Sequence, residues 1–178
     1  PRTPVVAFAG LGRAGKDEAG KLWARLTGVR YTGSLSWVGL QHVAKALGLC
    51  EQEAWETRHA RRLEWIKILH EYRTPDVTRL VRDSLQRGPV VVGVRGREEL
   101  KTCLAKGVIK YAVWVERAGG VPADPTVEYT RADCTHVLHN PGDTLEAYAL
   151  QVLALAKELG VPVVNPPATE VAPRAAPE

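Results

Sequence analysis

The chain has 178 residues, 45% hydrophobic and 25% charged, enough for one domain with a real core and too few for two comfortable ones. No apolar run approaches the roughly 18 residues of a membrane span, and the first residues lack a basic-then-apolar signal pattern, so a soluble, cytoplasmic chain without membrane partners is expected. The formal net charge of +4 is spread among acidic residues, which suits phosphorylated small molecules better than long nucleic acid.

In chain order, Val5 to Ala9 is a short apolar run without helical spacing and predicts a strand. Glycines follow at once, then Ala19, Leu22, Trp23 and Leu26 recur as one helical face. From Trp37, the positions Leu40, Ala44 and Leu47 predict a second helix closed by Gly48, and Glu51 to Tyr72 reads as one long helix. Thr74-Pro75-Asp76 supplies a cap residue, a first-turn proline and an acid ahead of Val77, Leu80, Val81 and Leu85. Val90 to Val94 is a continuous β-branched run of the kind buried on both faces of a parallel sheet, which sets Arg95 at the carboxyl end of a strand. Glu98 to Lys106 reads as a helix ended by Gly107, and Lys110 to Glu116 as a strand.

Residues 117–132 mix glycine, proline and charge, so an irregular excursion is expected, with a helical turn starting at Asp124-Pro125. Cys134 to His139 returns as a strand, and the Asp143 to Glu146 spacing predicts a capping box for a last amphipathic helix. The Pro- and Ala-rich segment 161–178 has little to bury and is expected to be extended or disordered, leaving 1–160 as the folded domain. Strands alternating with helices predict an α/β fold with a mostly parallel sheet flanked by helices and a ligand site beyond the carboxyl ends of the strands.

Residues 10–17, GLGRAGKD, lie between the first strand and its helix. They match the phosphate-loop pattern G-x-x-x-x-G-K-[ST] except that Asp17 stands at the hydroxyl position. Gly10, Gly12, Arg13, Ala14 and Gly15 would direct backbone N–H groups at phosphate oxygens, and Lys16 would bridge the β- and γ-phosphates of a nucleoside triphosphate. Asp17 is a hard-oxygen donor suited to Mg²⁺. A glycine-rich strand-to-helix turn without ligand is the plainer alternative.

The loop and three further stretches resemble the bacteriophage deoxynucleoside monophosphate kinase family, a P-loop group related to phosphomevalonate kinase whose loop reads S-G-K-D. The further stretches are YRTPDVTRLV (72–81), VVVGVRGREEL (90–100) and the segment 113–148, with its arginine-ended strand, lid and asparagine-ended strand. The likeness implies a nucleoside monophosphate kinase-like fold with a lid at about 117–132. It also implies transfer of the γ-phosphoryl of ATP, with Mg²⁺, to a deoxynucleoside monophosphate acceptor, supplying DNA precursors in an infected bacterial cell. Arg73, Asp76 and Arg95 would then meet the acceptor, while Lys16, Arg95, Arg117 and Arg131 would act on the transferring group. The sequence departs from the family at Gly93, where an acid is usual, and at Glu18, where threonine is common; Asp17, Glu98 or Glu99 could compensate.

Each arginine has a plainer reading as a solvated charge or ion-pair member. Arg58, Arg61 and Arg62 share helical spacing near His59, and pairing with Glu51, Glu56 or Glu64 is the expectation there. At Asp76, a helix-start position already explains an acid. The three cysteines, Cys50, Cys103 and Cys134, show no C-x-x-C spacing, so reduced thiols are expected. Cys134 and His136 face opposite to His139 on a strand, which argues against a metal there. Trp23, Trp37 and Trp114 are expected in the core, and Trp55 or Trp65 could stack on a base. Two rivals to the kinase stay open: a non-catalytic nucleotide-binding module and a small-molecule kinase with another acceptor. Homodimer formation is left open as well.

Overall fold

Short runs of β-branched and small apolar residues pair side by side in the computed structural model, which describes residues 3–167. The strands are β1 (Val6–Ala9), β2 (Val90–Val92), β3 (Tyr111–Arg117) and β4 (His136–Asn140). They form one four-stranded sheet in the order β2-β1-β3-β4, and every pairing is parallel. Parallel strands need long crossovers, and helices supply them: α1 (Lys16–Thr27), α2 (Leu35–Val38), α3 (Leu40–Leu47), α4 (Glu51–Glu56), α5 (Arg62–Arg73), α6 (Arg79–Leu85), α7 (Arg97–Ala105) and α8 (Leu145–Glu158).

Alternation along each strand sends side chains to two cores. Val6, Phe8, Val92 and Val113 pack against α1 and α8 through Leu22, Trp23, Leu26 and Val152. Ala7, Ala9, Val91 and Ala112 face the other helices through Leu35, Val43, Leu80 and Leu100. The small residues of β1 on that second face let short helices approach closely. Because β2 and β3 lie on opposite sides of β1, the strand order reverses there and opens a crevice at the carboxyl ends of β1 and β3. The glycine-rich loop begins at that crevice.

Several local expectations change. The long helix over 51–72 is two helices, α4 and α5, separated by a turn at 57–61. Residues 56–62, ETRHARR, carry a single apolar side chain, so no face holds this stretch to the core, and the Thr57 hydroxyl donates to the Glu53 carbonyl as α4 ends. Thr74 does not start a helix but closes α5; Asp76 accepts from the Thr78 amide and hydroxyl, and α6 starts at Arg79. Similarly, the cap of α8 is Thr144, whose hydroxyl accepts from the Ala147 amide, and not Asp143.

Trp37 is not a core residue but 40% exposed, and Trp114 is half-buried, whereas Trp23 is fully buried. Residues 161–167 are irregular but docked: Val161 is buried, and the amides of Val164 and Asn165 donate to the Leu26 carbonyl at the end of α1. Residues 168–178 of that expected tail lie outside the described residues. No helix among the described residues is long and apolar enough to cross a membrane.

Candidate phosphate-binding cleft

The loop between β1 and α1 is built from backbone conformations that few side chains permit. Gly10 has φ +139° and Gly15 φ +99°, and Arg13 is a non-glycine residue at φ +66°. A Cβ on Gly10 would lie 2.8 Å from the Val115 carbonyl oxygen, so glycine is required by the close approach of β3. The loop is held from behind: Asn140 Nδ2, at the end of β4, donates to the Ala14 carbonyl at 2.9 Å, and the Tyr148 hydroxyl of α8 donates to the Gly15 carbonyl at 2.9 Å. The N-cap residue of α1 is Gly15, which brings no side-chain cap, so the first-turn N–H groups carry the positive end of a twelve-residue helix towards the loop.

Lys16 folds back and donates from Nζ to the Gly10 carbonyl at 2.8 Å. Burial, reinforced by the Arg95 charge, lowers its pKa to about 8, with Asp124 and Asp17 opposing. Asp17 accepts from the Tyr31 hydroxyl at 2.8 Å through one oxygen.

In front of the loop lies a cleft of about 730 Å³. Gly12 and Arg13 form one edge; Arg58, Arg62, Arg73 and Arg95 supply cations; Leu35, Trp65, Leu69 and Leu80 supply an apolar wall. The Arg73 Nε lies 3.4 Å from Oε2 of Glu99, a carboxylate that is 1% exposed. Burial outweighs the Arg73 charge and pushes the Glu99 pKa up to about 7.

Asp124 sits at the junction of loop and cleft with 7% of its side chain exposed. It accepts from the Gly12 amide at 3.1 Å and from Arg62 Nη2 at 3.1 Å, and lies 3.6 Å from Arg95 Nη1. Burial alone would raise its pKa, but Thr126 hydrogen bonds and the Arg62 and Arg95 charges hold it down to about 2. Tyr129, 3% exposed, ties the same segment down: its hydroxyl donates to the Val94 carbonyl at 2.7 Å and lies 3.4 Å from the Gly10 amide, which points at it.

No protein-family model matches the chain, and no curated protein is significantly similar to it. What the site can do follows from its own geometry: donors and cations converge on one end of a half-apolar cleft, as binding of a phosphorylated organic molecule requires.

The site residues expected from sequence divide into three groups. Gly10, Gly12, Arg13, Ala14, Gly15, Lys16 and Asp17 form the loop and helix start, and Arg73 and Arg95 line the cleft before it. Arg117 reaches the loop from its far side, donating to the Arg13 carbonyl at 3.3 Å beside a second concavity of about 410 Å³ with Asn140 and Gln151. Arg131 and Asp76 stand apart: Arg131 pairs with Glu116 at 3.2 Å, and Asp76 pairs with Arg82 while accepting from the Thr78 amide ahead of α6.

Arg61 pairs with Glu64 as expected, and Arg58 lies over the Trp55 ring at 3.9 Å, whereas Arg62 joins the cleft. Of the two stacking candidates, Trp65 lines the cleft and Trp55 lines a separate groove with Trp37. Among the described residues, no cluster of His, Cys, Asp and Glu is arranged to hold a metal. Gly93, the departure from the acid, has φ +102°, so the backbone itself is set for glycine there.

Sequence reasoning missed Asp124, Thr126 and Tyr129, and it gave Arg62 to a solvated face. The only signal for Asp124 was Asp-Pro-Thr, which reads equally well as a helical turn. The asparagine ending β4 was noted in the resemblance without a role; its role is to clamp the loop.

Proposed function

We propose that this protein is a P-loop nucleoside monophosphate kinase-like enzyme that transfers the γ-phosphoryl group of ATP to a deoxynucleoside 5′-monophosphate. One observation carries the reading: Gly12 of the glycine-rich loop meets Arg62 and Arg95 around Asp124, in a cleft that Arg73 and apolar side chains also line. In such a reaction an oxygen of the acceptor phosphate bonds to the γ-phosphorus while the bond from that phosphorus to the β,γ-bridging oxygen breaks, releasing ADP and the nucleoside diphosphate. The protein's part is positioning and charge neutralisation. Lys16 and the loop amides hold the donor phosphates; Arg95 and Arg62 face the transferring group; Arg73, fixed by Glu99, meets the acceptor phosphate. Arg117 closes the loop's far side. Mg²⁺ would be held by Asp17 together with the phosphates, and it would offset charge on them.

The test is ADP release from Mg²⁺-ATP with a panel of deoxy- and ribonucleoside monophosphates. Stimulation by one or a few deoxynucleotides is expected, and its absence in the wild type with ATP binding intact would overturn the enzyme. The glycine-specific backbone at Gly93 favours a second reading, a nucleotide-binding module without turnover. Acceptor-dependent ADP release that disappears in Arg95→Ala rules that module out.

A further inference from the structure

A phosphate site is recognised by its donors: backbone amides of a glycine-rich loop, guanidinium groups and a lysine. Three of those donors, the Gly12 amide and the Arg62 and Arg95 guanidinium groups, are engaged by one group of the chain, while Lys16 donates to the Gly10 carbonyl. Asp124 Oδ2 accepts the Gly12 N–H at 3.1 Å and faces Arg95 Nη1 at 3.6 Å, while Oδ1 accepts from Arg62 Nη2 at 3.1 Å. Two anionic oxygens on one centre, shared between a loop amide and two arginines, reproduce two oxygens of a phosphoryl group. Gly12 makes the approach possible, because a Cβ there would stand 3.0 Å from Asp124 Oδ2.

We propose that Asp124 is an internal phosphoryl surrogate that engages the Gly12 amide, Arg62 and Arg95 and is displaced when a phosphate arrives. The inference rests on the loop being a phosphate cradle, as proposed above, and adds how access to it is controlled.

The chain around Asp124 is suited to such a displacement. Downstream, Tyr129 is buried and tied to the Val94 carbonyl, which fixes one end. Upstream, Gly119 and Gly120 have φ +82° and +77° with open space where side chains would be, which lets that end rotate. Between them the segment holds itself in shape locally, since Asp124 Oδ1 also accepts from the Thr126 amide at 3.1 Å and hydroxyl at 2.5 Å. Thr126 in turn accepts from Arg62 at 2.9 Å and from Arg95, so both arginines would be released together. A phosphate brings more negative charge and more acceptor oxygens than one carboxylate, so it outcompetes Asp124 for the same donors.

The experiment titrates inorganic tripolyphosphate into the full chain by calorimetry, comparing wild type, Asp124→Asn and Lys16→Ala. It also follows amide hydrogen exchange at 122–128 in the wild type with and without the ligand. The expected result is about tenfold tighter binding by Asp124→Asn, the size of effect when the open form is about a tenth of the population. Faster exchange at 122–128 on binding is expected alongside it.

Equal or weaker binding by Asp124→Asn overturns the proposal. Tighter binding without faster exchange in the wild type also overturns it, because Asp124 would then only repel an anion. Should Asp124→Asn fail to fold, the wild-type exchange result decides alone. The phosphate-cradle reading fails separately, and takes this proposal with it, if Lys16→Ala binds as well as wild type or if neither wild type nor Asp124→Asn binds.

Discussion

The two faces of the sheet are built from different kinds of helix. On one face α1 and α8, of 12 and 14 residues, lie against Val6, Phe8 and Val113 and bury Trp23 completely. On the other, the stretch from Leu35 to Leu85 is divided among five helices, two of them only four and six residues long, and arginines stand among the apolar contacts. Long helices with continuous apolar faces give a core that resists change. Short helices joined by turns leave a cleft between them, and α5, though as long as α1, buries only Trp65 and Leu69, so no continuous apolar face closes the gap. The loop at residues 10–15 lies at the boundary, clamped by Asn140 and Tyr148 from the β4 and α8 side and opening towards the other.

That contrast can be broken in order of expected effect. Trp23→Ala removes the largest buried side chain of the first face and should cost about 3–5 kcal/mol, read as a lowered midpoint in urea. At the boundary, Lys16→Ala should lower acceptor-dependent ADP release about 10²–10³-fold while leaving the urea midpoint near wild type; unchanged turnover would remove Lys16 from the mechanism.

On the cleft side, Glu99 holds its proton in the folded chain to about pH 7, against an ordinary value of 4.5. The folded state is therefore favoured most below pH 4.5, and this contribution is lost as the pH rises through about 7, amounting to at most roughly 3 kcal/mol. Glu99→Gln should flatten the fall in Tm over that window; an identical slope in both proteins would show that Glu99 is not its source. The smallest effect belongs to Trp37→Ala, which should cost about 1–2 kcal/mol, because Trp37 is 40% exposed and its main contact is the edge-on Trp55 ring at 4.9 Å. A loss comparable to that of Trp23→Ala would mean the second face is as tightly built as the first.

What the sequence made legible follows the same division. The strand, loop and helix at 5–26 were readable because an apolar run, glycines and a 3.6-residue period follow one another without interruption. The run at 90–94 announced a buried parallel strand for the same reason, although the ladder uses only Val90–Val92. Helix starts were readable in kind but not in place: at 74–78 and 143–144 several cap-forming residues stand together, and local hydrogen bonding selects the later one. The cleft's key carboxylate was not legible. Asp124 meets Gly12 and Arg62 across 112 and 62 residues from an irregular segment, and no periodicity marks such a contact.

The clamp on the glycine-rich loop also has a bearing on synthesis. The partners that fix the carbonyls of Ala14 and Gly15, Asn140 and Tyr148, leave the ribosome 126 and 133 residues after them. The strand that precedes the loop waits likewise for Val90 and Tyr111, its neighbours on either side. A nascent chain stalled before residue 140 would thus present the loop without its rear support, and a segment made well before its partners is among the last to reach its final shape.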